Sequence, residues 1–420
     1  MLDIEQIRNN PEVIKKAIAR KGADPKLIDE VILIDRNRRR VLSELERAQS
    51  ELNIHSKDIA TLHGQQKIDA INEASLWSEK VKGLRPEAEQ AQKEFVEVML
   101  KVPNPPADDV LDGDSDKDNT VNQKNGEPTK FSFKPLDHVE LGEKLDLIDI
   151  ERAGKIAGSR FYFLKNQLVQ IEFALIQYAL EILTAEGFVA MIPPILLNRA
   201  TMEGAGYIPG GEEEIYRTQD DTYLAGTAEQ PLAGYHMNEI LDVGVLPLRY
   251  VGFSSCFRRE AGSHGKDVRG ILRAHQFDKV EMFSYTKPED SKKEHEYLVS
   301  LEEKIVKGLG LPFQIVNICA GDLGAPAAKK YDVEIWLPGE NNYRETHSCS
   351  NCTDFQARRL NIRYRDKKGK VAVLHTLNGT AIAIGRMLIA IMENGQEKNG
   401  SIKIPEVLHK WLNFKEIKKK

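Results

Sequence analysis

From Leu27 onward, apolar residues recur in alternating steps of four and three: Leu27, Val31, Ile34, Val41, Leu45, Ala48, Leu52, Ile59 and Leu62. Arg38 and His55 occupy the two remaining positions of that seam. A second series runs Ala74, Trp77, Val81, Leu84, Ala88, Ala91, Phe95, Val98 and Val102. Seams sustained over several heptads predict two long helices. The short break at 63–66, which contains Gly64, predicts that they fold back as one antiparallel hairpin. Some 36 residues per helix give an arm of roughly 54 Å. A dimerising coiled coil is the rival reading, but each seam already has a partner within the chain. Gly83 and Pro86 interrupt the return helix, and a helical proline costs about 3 kcal/mol unless the helix bends, so a kink or local break is expected there.

The pattern then changes. Residues 103–130 carry Pro103, Pro105 and Pro106 followed by the acidic run DDVLDGDSDKDN, which predicts a solvated, disordered spacer. Beyond it, residues 131–420 alternate helical and strand-like stretches. Residues 167–185 have helical apolar spacing and end at Gly187. Residues 245–257, 276–284, 331–336, 343–348 and 371–384 read as strands of an antiparallel sheet, and residues 386–393 as a helix packed on it. Pro193 and Pro194 exclude a central strand at that point.

A length of 420 residues suggests two or three domains, and 41% apolar with 29% charged residues suits a globular protein. The net charge of −5 means that any nucleic-acid binding must use local basic patches. Arg36, Arg38, Arg39 and Arg40 are the densest such cluster on the first helix, although residues 1–102 hold 18 basic and 18 acidic side chains. No apolar run approaches the ~20 residues of a membrane span, and the charged start lacks a signal-peptide core. Four cysteines are too few for a disulfide framework at this size, which points to a reducing compartment. A cytoplasmic protein of bacterial type is expected; an organellar protein stripped of a presequence stays open.

The most informative stretch is Cys256–Tyr285, CFRREAGSHGKDVRGILRAHQFDKVEMFSY. It reads as strand, basic glycine-punctuated loop, strand. If 257–260 is extended, Arg258 and Glu260 share one face; if 277–285 is extended, so do Phe277 and Glu281. The loop adds Lys266, Arg269 and Arg273, with Gly262, Gly265 and Gly270 for mobility. A guanidinium, an aromatic platform and two carboxylates together suit a nucleoside triphosphate beside a small polar ligand. No Walker A or GxGxxG pattern is present.

These residues resemble motif 2 of the class II aminoacyl-tRNA synthetases, in its seryl form. GFVAMIPPILL (187–197) resembles motif 1, GTAEQPL (226–232) the serine-binding segment, YRETHSCSNCTDFQARR (343–359) the strand before motif 3, and LNGTAIAIGRMLIAIMEN (377–394) motif 3 itself. Five blocks in order are far more specific than any one of them. The resemblance, to the bacterial-type seryl-tRNA synthetases, implies an α+β fold: a class II antiparallel sheet flanked by helices, with an N-terminal helical-hairpin arm. It implies a homodimer joined through motif 1, an arm (1–102) that holds the long variable arm of tRNA-Ser, a linker (103–130) and a catalytic domain (131–420). The reaction implied is formation of seryl-adenylate from L-serine and ATP with Mg²⁺, then transfer of the seryl group to tRNA-Ser; tRNA-Sec is a further plausible acceptor.

Residue roles follow from the same resemblance. Arg258 is the catalytic cation between the α-phosphate and the serine carboxylate, and Arg386, at a helix start, takes the γ-phosphate. Arg259, Glu260, Arg273, Phe277, Thr346 and His347 belong to the ATP site, with Phe277 stacked on adenine. Glu345 and Ser348 hold Mg²⁺ through ATP; three apart on an ideal strand they would face opposite ways, so a bulge is required. Thr227, Ala228, Glu229, Glu281 and Thr380 form the serine pocket, Thr380 standing where the family usually has Ser. Cys349 and Cys352, a lone C-x2-C beside His347, fall short of a zinc ligand set, and no zinc is expected. Two other readings compete. A paralogue could charge another amino acid or load a carrier protein, and a non-catalytic tRNA-binding relative would commonly have lost Arg258, Glu345 or Arg386.

Overall fold

In a computed structural model, residues 1–261 and 269–419 are described. Lys266, Gly262 and Gly265 lie outside them. The chain divides into two compact units, residues 2–103 and residues 104–420 together with Met1.

The first unit is built on two long helices, α1 (Lys26–Asp58) and α2 (Gly64–Lys101). The turn spans residues 59–63, a few positions before the expected break, and Gly64 opens the return helix at φ +59°. The return seam is as expected: Ala74, Val81, Leu84, Ala88, Ala91, Phe95 and Val98 are buried. Of the kink or local break expected at Gly83–Pro86, no break is present, since α2 runs unbroken from Gly64 to Lys101. Proline removes a single backbone bond, and Val81 and Leu84 pack with Ala48, Leu45 and Leu52 around that point. At the start of α1 the buried positions are Ile28, Val31 and Asp35, not Leu27 and Ile34. The reason is a pair of short helices, Ile4–Asn9 and Pro11–Ala19, which bury Ile7, Ile14 and Ile18.

The second unit is an eight-stranded sheet. In chain order its strands are β1 (Thr120–Asn125), β2 (Val189–Met191), β3 (Leu248–Phe257), β4 (Gln276–Thr286), β5 (Phe313–Asn317), β6 (Lys329–Leu337), β7 (Asn342–Thr353) and β8 (His375–Ala383). Their spatial order is β1-β5-β6-β7-β8-β4-β3-β2. Every pair is antiparallel except β2 with β3, so the sheet is mixed at that edge. β2 ends before Pro193 and lies at the edge, where proline is tolerated. The strand expected over 371–384 is two: residues 371–373 pair with 363–365 in a separate small sheet. The disordered spacer is also corrected. Thr120–Asn125 pairs with β5, and the buried Asn104 side chain donates to the carbonyls of Pro326 and Cys352 at 2.8 and 2.9 Å.

Three helices cover one face: α3 (Gln167–Ala185), α5 (Ser291–Gly308) and α6 (Ile384–Asn394), with α4 (Glu229–Gly234) elsewhere. Leu168, Ile171, Leu175, Leu298, Ile305, Met387 and Leu388 fill the core with Val280, Met282, Val333 and Leu377 of the sheet. α3 ends where Gly187 takes φ +86°. By length and composition alone α3 could cross a membrane, contrary to the reading that no run comes near. Its apolar stripe is instead spent on this core. A second cluster, with Leu232, Tyr250, Phe283, Tyr285 and Leu360, includes further residues of β3 and β4.

One core residue is out of character. Glu302 of α5 is fully buried, and no side chain hydrogen-bonds either oxygen. Burial, then the Glu281 and Asp332 carboxyls, push its pKa well above the carboxylate range against the pull of Lys279. The unfolded chain therefore ionises this group at a lower pH than the native protein does. Its cost to stability is absent below pH ~4.5 and grows by up to about 1.4 kcal/mol per pH unit above it. Glu302→Gln is expected to raise stability, more at pH 8 than at pH 5, as denaturant unfolding of both proteins at the two pH values will read. A constant difference would show that the group is ionised in the native state.

Candidate active site

The site is assembled where β3 ends and β4 begins, beside α4, β7 and the start of α6. β3 stops at Phe257, so Arg258 and Glu260 do not lie on one strand; Glu260 sits in the following turn at φ +50°. The turn still gathers them. Arg258 Nε donates to the Gly226 carbonyl at 3.1 Å, and its guanidinium lies 5.3 Å from the centre of the Phe277 ring. Arg273 pairs with Glu260 at 3.1 Å. Arg259 is exposed, its guanidinium 6.0 Å from the Tyr216 ring, and Arg269 pairs with Asp137 at 3.7 Å.

α4 brings in the TAE segment. A Cβ at Gly252 of β3 would lie 2.9 Å from Leu232 and 3.3 Å from Ala228, so glycine lets this helix seat on the strand. Thr227 Oγ1 accepts from the Glu229 backbone N–H at 3.2 Å. The buried Glu229 carboxylate accepts from Tyr207 Oη and from Gln356 Nε2, both at 2.8 Å. Burial, then Glu281, raise its pKa, and those two donors oppose the rise. Glu281 and Thr380 are cross-strand neighbours of β4 and β8, and Thr380 Oγ1 donates to Glu281 Oε2 at 3.4 Å.

The bulge required for Glu345 and Ser348 is present. Glu345 pairs with Glu334 and His347 with Val333, so Thr346 is the extra residue. Ser348 pairs with Asp332, two residues from Glu334, so Glu345 and Ser348 share a face. Arg386 donates to the Glu345 carbonyl at 2.8 Å and lies 3.2 Å from its Oε1. Burial would raise the Glu345 pKa, but Arg386, Lys330 and Arg258 together hold it down at about 2. The site thus offers a fixed carboxylate and a hydroxyl, both oxygen donors, which fits Mg²⁺. Among the described residues no cluster of three or more His, Cys, Asp or Glu could by itself hold a metal.

The side chains of Thr346 and His347 are both engaged within the protein. Thr346 donates to the Val333 carbonyl at 3.1 Å, and buried His347 is hydrogen-bonded to the Ala381 carbonyl at 3.0 Å. Burial lowers the His347 pKa to about 4, so it is neutral. Cys349 and Cys352 are both buried. The basic cluster of the arm is likewise partly occupied. Asp35 takes Arg8 at 2.8 Å, Arg38 at 3.0 Å and Arg39 at 3.1 Å, and Arg38 also lies 4.0 Å from the Phe95 ring. Arg40 pairs with Glu44, while Arg36 is exposed.

Sequence reasoning missed Tyr207, Gln356 and Lys279. Lys279 was within reach, because it lies two residues before Glu281 on a strand and so must share its face.

Sheet and site together are those of a class II aminoacyl-tRNA synthetase, and residues 213–395 match the class II core domain of the G, H, P, S and T synthetases. Residues 1–106 match the seryl-tRNA synthetase N-terminal domain. The serine--tRNA ligase of Dictyoglomus turgidum is 45% identical over 424 residues, covering the whole of both chains. The crystal structure of seryl-tRNA synthetase from Pyrococcus horikoshii complexed with ATP superposes with a TM-score of 0.92 at 42% identity, over 99% of each chain. The cytoplasmic serine-tRNA ligase of Naegleria fowleri in complex with AMP gives 0.88 at 35%, over 100% of this chain and 99% of the other. The chain belongs to the seryl-tRNA synthetase family.

Proposed function

We propose that the chain activates L-serine with ATP and passes the seryl group to the 3′ end of tRNA-Ser. The observation that carries this is the pocket in which Glu229, Glu281 and Thr380 converge beside Arg258. In the first step a serine carboxylate oxygen attacks the α-phosphorus, the bond to the β-phosphate oxygen breaks, and pyrophosphate leaves. In the second, the terminal ribose hydroxyl of the tRNA attacks the seryl carbonyl and AMP leaves. Neither step needs an enzyme nucleophile, so alignment and charge neutralisation carry the catalysis.

Glu229 answers the serine ammonium group, with Thr227 and Ala228 shaping the turn, and Glu281 accepts from the substrate hydroxyl. The Arg258 fork spans the carboxylate and the α-phosphate. Phe277 stacks on adenine, Glu260 accepts from its amino group, and Arg259 and Arg273 line the nucleotide site. Arg386 meets the γ-phosphate. Glu345 and Ser348 would hold Mg²⁺, which when bound offsets phosphate charge. Thr346 and His347 contribute backbone only.

Residues 1–102 serve as the tRNA arm, with Arg36 and Arg40 the cations best placed for phosphates, and residues 131–420 as the catalytic domain. Exposed Phe173, Val189, Ile192 and Leu196, on and around motif 1, suit a homodimer interface. We place the enzyme in the cytoplasm, with tRNA-Sec a further acceptor where the host has it. The test is ATP–pyrophosphate exchange without tRNA, run with each amino acid in turn. Exchange with serine alone is expected; exchange with another amino acid would keep the mechanism and overturn the substrate, and none at all would leave a binding protein.

A further inference from the structure

The amino-acid pocket holds one cation that no role above uses. Lys279 lies two residues before Glu281 on β4, so both side chains point to the same face. Both are buried, at 7% and 1% exposure, and Lys279 Nζ stands 2.5 Å from Glu281 Oε2. Thr380 Oγ1 donates to that same oxygen. Two donors therefore converge on Oε2, leaving Oε1 as the oxygen with capacity for an incoming hydroxyl.

The surroundings make this cation necessary. Glu229 on α4 and Glu302 on α5 both feel the Glu281 carboxylate, and Lys279 offsets the charge at each of them. Tyr207, hydrogen-bonded to Glu229, also feels Arg258, and Cys256 lies near Lys279 and Glu281. A buried carboxylate with no cation beside it would be costly and poorly oriented. The cross-strand partner of Lys279 on β3 is Ser254, which is also buried, so the ammonium has no route to solvent on that side.

We propose that Lys279 is a specificity-determining positioning residue: its ammonium clamps Glu281 Oε2 so that Oε1 is presented to the hydroxyl of the amino-acid substrate. This rests on the reading of Glu281 as the hydroxyl acceptor. Lys279 itself touches no substrate. It fixes the orientation of the group that tells serine from alanine, a distinction that depends on an unpaired buried acceptor being unfavourable.

The experiment compares Lys279→Met, Lys279→Arg and Glu281→Ala in serine- and alanine-dependent ATP–pyrophosphate exchange, with KM for serine and for ATP measured separately. Lys279→Met is expected to raise the serine KM about 10-fold or more and to cut serine-over-alanine discrimination by a similar factor. The ATP KM should stay within about 2-fold, because a uniform change is not what a pocket-specific clamp produces. Lys279→Arg should recover most of the serine KM. If Lys279→Met does not fold, as circular dichroism will show, Lys279→Gln replaces it, and the same split is expected. Unchanged serine kinetics, or equal losses for serine and ATP with no rescue by arginine, would overturn the proposal and leave a structural ion pair. If Glu281→Ala itself leaves the serine KM unchanged, the pocket reading fails first, and the proposal with it.

Discussion

Replacing Arg258 with Ala is expected to lower serine-dependent ATP–pyrophosphate exchange by about 10³-fold or more, equivalent to about 4 kcal/mol of lost transition-state stabilisation. Two anions, the serine carboxylate and the α-phosphate, must approach within bonding distance, and the repulsion between them peaks in the transition state. A guanidinium already docked on the Gly226 carbonyl at 3.1 Å needs no reorganisation to meet them. Its charge is also felt at both Tyr207 and Glu345. Arg258→Lys should recover little, since an ammonium cannot bridge two groups with one planar fork. The loss should fall on kcat more than on either KM, because the interaction is strongest where the charges meet. Steady-state exchange with serine and ATP varied in turn reads this directly; a loss confined to the ATP KM would make Arg258 a nucleotide-binding residue only.

The sequence made most of this site legible because its blocks are local. TAE, the strand pair around Arg258 and the Glu345–Ser348 segment each name their residues within a short window. What was hidden depends on partners far along the chain. The bulge at Thr346 is a register fact about β6 and β7, and only the pairing of Glu345 with Glu334 and Ser348 with Asp332 shows it. Thr120–Asn125 is largely exposed and carries no alternation; backbone pairing with β5 alone makes it a strand. Tyr207 and Gln356 reach Glu229 from positions 22 and 127 residues away. The unbroken helix through Pro86 shows the converse: a strong local signal for a break, overridden by packing along the seam. On the arm, composition marked four arginines, whereas Asp35 decides which of them remain available.

Glu281→Ala is expected to reduce serine activation by about 10³- to 10⁴-fold while ATP affinity changes little, and to abolish preference for serine over alanine. On this reading alanine is excluded because Lys279 and Thr380 serve Glu281 Oε2 only, and Oε1 of a carboxylate at 1% exposure would be left without the substrate hydroxyl. Removing the carboxylate removes both the reward for serine and the penalty for alanine. The proposed adenine site uses other side chains, namely Phe277 near the start of β4, Glu260 and its partner Arg273, so nucleotide binding has no reason to follow. The variant also strands Lys279 in a buried setting with its 2.5 Å partner gone, which costs about 3 kcal/mol or more of stability. Kinetics must therefore be taken well below the unfolding transition, and Glu281→Gln provides the control, since an amide of the same shape still accepts a hydrogen bond. Direct ATP titration by calorimetry beside the exchange assay separates the outcomes. Equal loss of serine and ATP would mean that Glu281 supports the fold of the site and does not read the substrate.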